Sequence, residues 1–138
     1  LRNRCNVPLL LDELVQAEAD MIQAIKQNTC DGVGLKISKQ GGLTHTRRQR
    51  DISCAAGLAM SIQETTGSEI AFAAILHMAQ STPRDLLRCA LDPRTMVSQS
   101  TAKFDAPIIN GGATAPRLPG LGITPDLTVL GSPIAIWS

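Results

Sequence analysis

The 138-residue chain is long enough for one domain of ordinary size, and its 43% hydrophobic and 18% charged residues indicate a globular protein. A net charge of +1, with two Phe, one Trp and no Tyr, argues against a surface that binds nucleic acid or an anionic membrane. No apolar run approaches the roughly 20 residues of a membrane span, and no basic-then-apolar signal segment opens the sequence, so we predict a cytoplasmic protein.

Four short apolar runs predict β-strands, and the amphipathic segments between them predict α-helices. The predicted strands cover residues 7–11, 33–37, 58–62 and 86–91, and the predicted helices cover 14–27, 42–56 and 68–79. The first run reads as a strand buried on both faces, as in a parallel sheet covered by helices. We expect Thr44 to cap the second helix and Gly57 to end it.

The second predicted strand carries an ionisable residue. Val33, Leu35 and Ile37 alternate with Gly34 and Lys36, which is the period of a strand. A lysine in such a strand is costly to bury without a partner. A strand that ends in an ionisable group, followed by a loop and a helix, is how a barrel enzyme presents a catalytic residue.

The four predicted strands end at regularly spaced charged residues. Asp12, Lys36, Glu64 and Asp92 mark these ends, at separations of 24, 28 and 28 residues. A complete (β/α) barrel of eight units takes about 250 residues, or roughly 30 per unit. An open doubly wound sheet is the alternative, but no Gly-x-Gly-x-x-Gly follows the first strand. The spacing therefore favours an α/β fold with four parallel βα units, half of a barrel.

The sequence changes character after the fourth unit. Residues 1–105 are predicted as the half-barrel and 106–138 as a turn-rich C-terminal tail with short strands, the last over Ile134 to Trp137. The chain begins at Leu1, almost directly before a strand, so we expect that its start has been removed or that it is part of a longer polypeptide. Its four cysteines lack Cys-x-x-Cys spacing, and we predict reduced, buried thiols.

Several of these segments together resemble the enolase superfamily, in the branch of mandelate racemase and the muconate-lactonising enzymes. The residues that carry the resemblance are Pro8-Leu9-Leu10-Leu11-Asp12-Glu13, the run from Gly34 to Gly42, Gly57-Leu58, Gly67-Ser68-Glu69 and Pro119-Gly120-Leu121-Gly122. They correspond to the C-terminal half of such an enzyme. The sequence around Lys36 and Gln63-Glu64-Thr65 is most similar to cis-3-hydroxy-L-proline dehydratases.

The resemblance implies a role for each candidate residue. It implies that Asp12 is the third carboxylate ligand of a Mg²⁺ ion and that Lys36 is the acid/base, which requires a depressed pKa. We place Lys39, Glu64 and Asp92 at the substrate pocket, with Lys39, beyond the strand, in a supporting or structural role. Glu64 and Asp92 would shape the pocket or orient Lys36, and the alternative for each is an ordinary loop carboxylate. Glu13 is interpreted as a charge at the start of the first helix, facing away from Asp12.

The implied function is Mg²⁺-assisted removal of a proton α to a carboxylate, followed by dehydration of a hydroxyproline-like amino acid. A racemase, epimerase or cycloisomerase of the same branch would use the same residues. The alternative of another class is a non-catalytic half-barrel that serves in assembly or interaction. One carboxylate cannot hold Mg²⁺ firmly, and four strands leave two unpaired edges, so we expect the missing N-terminal half or self-association to complete the protein.

Overall fold

The structure, a computed structural model, describes residues 2–104 and 107–136 of the chain. Trp137, the end of the predicted last strand, and Ala106, the predicted start of the tail, lie outside the described residues. The elements, in chain order, are β1 (Leu10–Leu11), α1 (Glu18–Lys26), β2 (Gly32–Lys36), α2 (Leu43–Ala55), β3 (Ala59–Gln63), α3 (Glu69–Gln80), β4 (Leu87–Ala90), β5 (Ala102–Lys103), β6 (Thr124–Pro125) and α4 (Leu127–Leu130).

Strands β1 to β4 form one parallel sheet in the order β1-β2-β3-β4. At the centre of this sheet, Gly32 pairs with Ala59 and Lys36 pairs with Gln63. A parallel sheet whose neighbours follow chain order, with a helix in each of its crossovers, has the topology of a (β/α) barrel. The predicted fold class is confirmed: the chain is the C-terminal half of such a barrel, with four parallel strands and a turn-rich tail.

The hydrophobic core lies between one face of the sheet and the helices. Val33 and Leu35 of β2 and Met60 and Ile62 of β3 are fully buried there, against side chains of α1 and α3. Because successive strand residues point to opposite faces, Gly34, Lys36, Ser61 and Gln63 lie on the other face. We call this second face, which would line the inside of a complete barrel, the concave face.

The beginning of the chain differs from the prediction. The first strand is reduced to Leu10–Leu11, and Val7 and Leu10 are 65% and 48% exposed, so the prediction of a strand buried on both faces is wrong. In the described residues, β1 is hydrogen-bonded to β2 alone and so is an edge of the sheet. The first helix begins at Glu18, because the Asp20 carboxylate accepts hydrogen bonds from the backbone N–H groups of Gln16 and Ala17 and closes its first turn.

The second helix begins two residues earlier than its predicted cap requires. Gly42, with a φ of 97°, is the N-cap residue, and Thr44 lies in the first turn. A glycine at this position permits the sharp reversal between β2 and α2 that a threonine would resist. The end of the helix agrees with expectation, since Gly57 follows it with a φ of 68°.

The tail contains less strand than predicted. β5 and β6 form a two-stranded antiparallel ribbon, a short helix spans Leu127–Leu130, and residues 134–136 form no strand. Ile134 and Ile136 are 105% and 79% exposed. In the part of the chain that the structure describes, no strand is paired with this run to stabilise an extended conformation.

The cysteines differ in part from the prediction, and the described helices include no membrane span. All four cysteines are free; Cys30 is buried, but Cys89 is exposed on the concave face, so the prediction of buried thiols is wrong for Cys89. Within the described ranges, none of the helices has the length and apolar character needed to cross a membrane.

Candidate functional site

The candidate site lies where β1 and β2 end. Asp12 directly follows β1, and Lys36 is the last residue of β2. The carboxyl ends of neighbouring parallel strands lie at the same edge of a sheet, which brings these side chains together. Asp12 Oδ2 accepts a hydrogen bond from Lys36 Nζ at 2.8 Å. The lysine side chain is 12% exposed and the aspartate side chain 50% exposed.

A second carboxylate binds the same lysine. Glu13 Oε1 accepts hydrogen bonds from Lys36 Nζ at 3.1 Å and from Lys39 Nζ at 2.7 Å. The interpretation of Glu13 as a helix-start charge facing away from Asp12 is therefore wrong. α1 begins only at Glu18, and the turn before it brings both acidic side chains to the same lysine. Lys39 contacts this cluster through Glu13.

The two carboxylates control the charge of the lysine. The hydrogen bond to Asp12 raises the pKa of Lys36, and this effect, together with the bond to Glu13, outweighs the opposing effect of desolvation. In return, the hydrogen bonds from Lys39 and Lys36 lower the pKa of Glu13. A lysine base needs the opposite shift, so these described residues hold Lys36 in its protonated, hydrogen-bond-donating form.

Gln63, the last residue of β3, is a member of the site that sequence reasoning missed. Gln63 Nε2 donates to Asp12 Oδ1 at 3.3 Å, across the position of Gly34. A Cβ on Gly34 would lie 2.2 Å from Gln63 Nε2 and 3.0 Å from Asp12 Oδ1, so the absence of a side chain there makes the contact possible. The signal was the strand register, because Lys36 pairs directly with Gln63.

Glu64 is turned away from this cluster. It is 8% exposed, and its carboxylate accepts hydrogen bonds from Ser38 N at 2.8 Å, Ser38 Oγ at 2.7 Å and Thr65 N at 3.1 Å. Glu64 therefore links the end of β3 to the loop that follows Lys36. Its predicted place at the substrate pocket stays a prediction.

Asp92 is held by an arginine two residues further on. Its carboxylate accepts hydrogen bonds from Arg94 Nε at 2.9 Å and from the terminal guanidinium nitrogen at 2.7 Å, and these lower the pKa of Asp92. The Arg94 guanidinium lies 4.3 Å from the centre of the Phe72 ring and 5.7 Å from that of Phe104. The structure therefore places Asp92 in a cluster with Arg94 and two rings, and its assignment to the substrate pocket stays a prediction.

The residues that the structure describes do not form a complete magnesium site. Across residues 2–104 and 107–136, no group of three or more His, Cys, Asp or Glu side chains could hold a metal ion. Mg²⁺ prefers six oxygen ligands and retains its waters unless several protein oxygens replace them. Asp12 could supply one such oxygen, but its Oδ2 is engaged by Lys36.

Comparison with known proteins gives these contacts a context. The family model described as "Enolase C-terminal domain-like" matches residues 1–129. A cis-3-hydroxy-L-proline dehydratase of Roseibium aggregatum is 39% identical over 138 residues, which are 100% of this chain and 38% of that enzyme. Muconate cycloisomerase 1 of Rhodococcus opacus is 29% identical over 117 residues, which are 85% of this chain and 31% of that enzyme.

A solved structure is similar in the same region. A protein of Roseovarius nubinhibens ISM, assigned to the mandelate racemase/muconate lactonizing enzymes and solved in complex with magnesium, has 60% sequence identity and a TM-score of 0.93. The match covers 97% of this chain and 36% of that chain. The chain thus spans less than two-fifths of the length of these relatives.

Proposed function

The chain belongs to the enolase C-terminal domain-like family, and we propose that it supplies the acid/base half of an enzyme that removes a proton α to a carboxylate. The relatives in this superfamily include a dehydratase and a cycloisomerase. The observation that carries the proposal is the 2.8 Å contact between Asp12 Oδ2 and Lys36 Nζ at the ends of adjacent parallel strands. Strand ends at this edge are where barrel enzymes carry their active sites.

Lys36 is the proposed acid/base. As a base it must first lose the proton that its two carboxylate partners favour. Displacing Asp12 or Glu13 from the amine, or excluding water around it, would lower the lysine pKa toward neutrality. We propose that the remainder of the enzyme supplies the groups that do so, since the described partners of the Lys36 amine are both carboxylates.

The proposed substrate is a hydroxyproline-like amino acid, supported by the 39% identity to the dehydratase of Roseibium aggregatum. In that reaction the Cα–H bond breaks and its proton passes to the Lys36 amine. The C3–O bond then breaks, and the leaving hydroxide takes up a proton to become water. The resulting enamine tautomerises to an imine, so the overall change is the loss of one water molecule.

We assign Asp12 as the carboxylate that this chain would contribute to a Mg²⁺ site in the complete enzyme. Two facts support the assignment: the similar Roseovarius protein was solved with magnesium, and Asp12 lies half exposed at the barrel mouth. A carboxylate oxygen is the ligand type that Mg²⁺ prefers. The other ligands would have to come from outside the described residues.

The proposed partner is the N-terminal part of a longer polypeptide, as the length of the relatives suggests. We propose that this polypeptide acts in the cytoplasm. Beside the β1 edge, Val7, Leu10 and Leu14 are 65%, 48% and 78% exposed. Apolar side chains next to an open strand edge favour association. A second copy of the chain is the alternative occupant, and sedimentation analysis of the purified chain distinguishes a monomer from a dimer.

The proposal is tested with cis-3-hydroxy-L-proline and Mg²⁺, using the chain joined to the N-terminal part of the Roseovarius relative. Formation of the imine, dependent on Mg²⁺, supports a dehydratase. Inversion or exchange at Cα without loss of water would identify a racemase or epimerase. Turnover of a muconate, with no reaction of the hydroxyproline, would identify a cycloisomerase.

The absence of a three-residue metal cluster in the described part of the chain favours one other candidate, a non-catalytic half-barrel. Failure of the joined protein to exchange the α proton of any of these substrates, with its fold intact by circular dichroism, would establish that candidate instead.

A further inference from the structure

Glu64 is a buried carboxylate held by neutral donors. Three hydrogen bonds reach it, from Ser38 N, Ser38 Oγ and Thr65 N. Among the described residues, none of the ion pairs includes Glu64. Burying a carboxylate without a cation is costly, and these N–H and O–H donors are what offsets the cost. The hydrogen bonds from Ser38 stabilise the buried Glu64 carboxylate, and the same bonds hold Ser38 in place.

Ser38 lies two residues after Lys36, in the loop between β2 and α2, so its position affects the backbone that carries Lys36. Backbone pairing of β2 with β3 ends at Lys36 and Gln63, apart from a 3.3 Å contact from Ile37 N to Gln63 O. The Glu64 side chain continues the connection past that point. It binds the backbone and the hydroxyl of a residue that is otherwise exposed.

We propose that Glu64 is a positioning residue for Lys36 and not a group that contacts the substrate. The inference rests on the proposed function in taking Lys36 as the acid/base. Lysine has a long, flexible side chain, so the direction of its Nζ depends on how rigidly its backbone is held. The loop beyond Lys36 is fixed by Glu64 on one side, while the amine is held by Asp12 and Glu13 on the other.

The test compares Glu64→Gln, Ser38→Ala and Glu69→Gln in the joined protein described above, with kcat and KM measured for exchange of the α proton. A displacement of about 1 Å in a reacting group costs roughly 100-fold, so Glu64→Gln should lower kcat by about 10- to 100-fold with KM nearly unchanged. Ser38→Ala retains the backbone N–H donor and should lower kcat less. The two substitutions should not be additive, because they disrupt one contact.

Glu69→Gln is the matched control. Its carboxylate also accepts a hydrogen bond from a loop N–H, that of Thr101 at 2.9 Å, but it makes no described contact with Lys36 or Ser38. It should leave kcat unchanged. A rise in KM without a fall in kcat for Glu64→Gln would show substrate contact and overturn the proposal, as would an equal loss of kcat in Glu69→Gln.

A second readout does not require turnover. Amine-specific labelling of the 138-residue chain, quantified at Lys36 against Lys39 by mass spectrometry, should be faster at Lys36 in Ser38→Ala than in the native sequence. Ser38 is exposed, so this variant should fold even if Glu64→Gln does not. Unchanged labelling would overturn the positioning role. If the native joined protein shows no exchange while labelling still responds, the proposed function fails and the positioning role stands.

Discussion

Two glycines of β2 allow a sharp test of how the site is built, because the same substitution should be clearly destabilising at one and nearly neutral at the other. Gly32 and Gly34 lie two residues apart on the concave face of the same strand. A Cβ added at Gly32 would lie 2.6 Å from the backbone carbonyl oxygen of Ala59, which cannot move without disturbing the sheet. A Cβ added at Gly34 would meet Gln63 Nε2, the end of a flexible side chain.

The expected magnitudes follow from these contacts. Gly32→Ala overpacks the central strand pair and should lower the free energy of unfolding by about 1–3 kcal/mol. At this chain length that lowers Tm by roughly 4–12 °C. Gly34→Ala should release the 3.3 Å Gln63–Asp12 hydrogen bond, a loss of about 0.5–1 kcal/mol. The lower conformational entropy of Ala in the unfolded chain offsets it by about 0.5–1 kcal/mol, so Tm should barely change.

Thermal unfolding followed by circular dichroism measures both effects, and Gln63→Ala provides the control. In a Gln63→Ala background, Gly34→Ala has no Gln63–Asp12 hydrogen bond to break, so only the gain from the unfolded chain remains and the substitution should raise Tm. The reasoning would be refuted if Gly34→Ala lowered Tm as much as Gly32→Ala, or if Gly34→Ala failed to raise Tm in the Gln63→Ala background.

Two further predictions concern groups outside the Lys36 cluster. Because the hydrogen bonds from Arg94 lower the folded-state pKa of Asp92, the stability this pair contributes is present above the unfolded aspartate pKa of about 3.9 and is lost as pH falls through the lower folded value. In Arg94→Met, the free energy of unfolding should therefore fall less steeply as the pH is lowered below about 4. Urea unfolding at a series of pH values measures this dependence, and the same steepness in both proteins would contradict the assignment. A thiol reagent should modify the exposed Cys89 quickly and the 3%-exposed Cys30 slowly, since burial also raises the pKa of the Cys30 thiol. In the joined protein, the N-terminal part should cover the concave face and slow the modification of Cys89. Equal rates of Cys89 modification with and without that part would argue against a closed barrel.

Much of the fold was predictable because local pattern and topology agree in the centre of the chain. Alternation in β2 correctly separates Val33 and Leu35, which face the helices, from Lys36, which faces the other side. The regular spacing of the charged strand ends likewise predicted the parallel order of the sheet. These features depend on residues that lie close together in the sequence, where periodicity is informative.

The errors come from features that periodicity does not encode. Glu13 was misplaced because the turn after β1 delays the helix to Glu18, and that turn is fixed by the Asp20 side chain. Gln63 was missed because its contact with Asp12 depends on the β2–β3 register and on the missing side chain of Gly34. The early strand was predicted too long because apolar composition alone does not show that β1 is an edge of the described sheet.

The raised pKa of Lys36 has the same kind of origin. Sequence spacing placed a lysine at the end of a strand, but its charge state depends on which carboxylates surround it in three dimensions. In the described residues these are Asp12 and Glu13. In the described residues, the proposed acid/base therefore lies in surroundings that favour its protonated form, and a role as a base requires those surroundings to change.

The central claim is that Lys36 transfers the α proton, and deuterium exchange tests it most directly. The joined protein is incubated with cis-3-hydroxy-L-proline and Mg²⁺ in D₂O, and deuterium at Cα is followed by proton NMR in the native form, in Lys36→Ala and in Lys39→Ala. We expect exchange in the native form, loss of at least about 100-fold in Lys36→Ala, and retention of most exchange in Lys39→Ala, which removes a neighbouring amine that binds Glu13. Exchange that survives in Lys36→Ala, with the fold intact, would contradict the account.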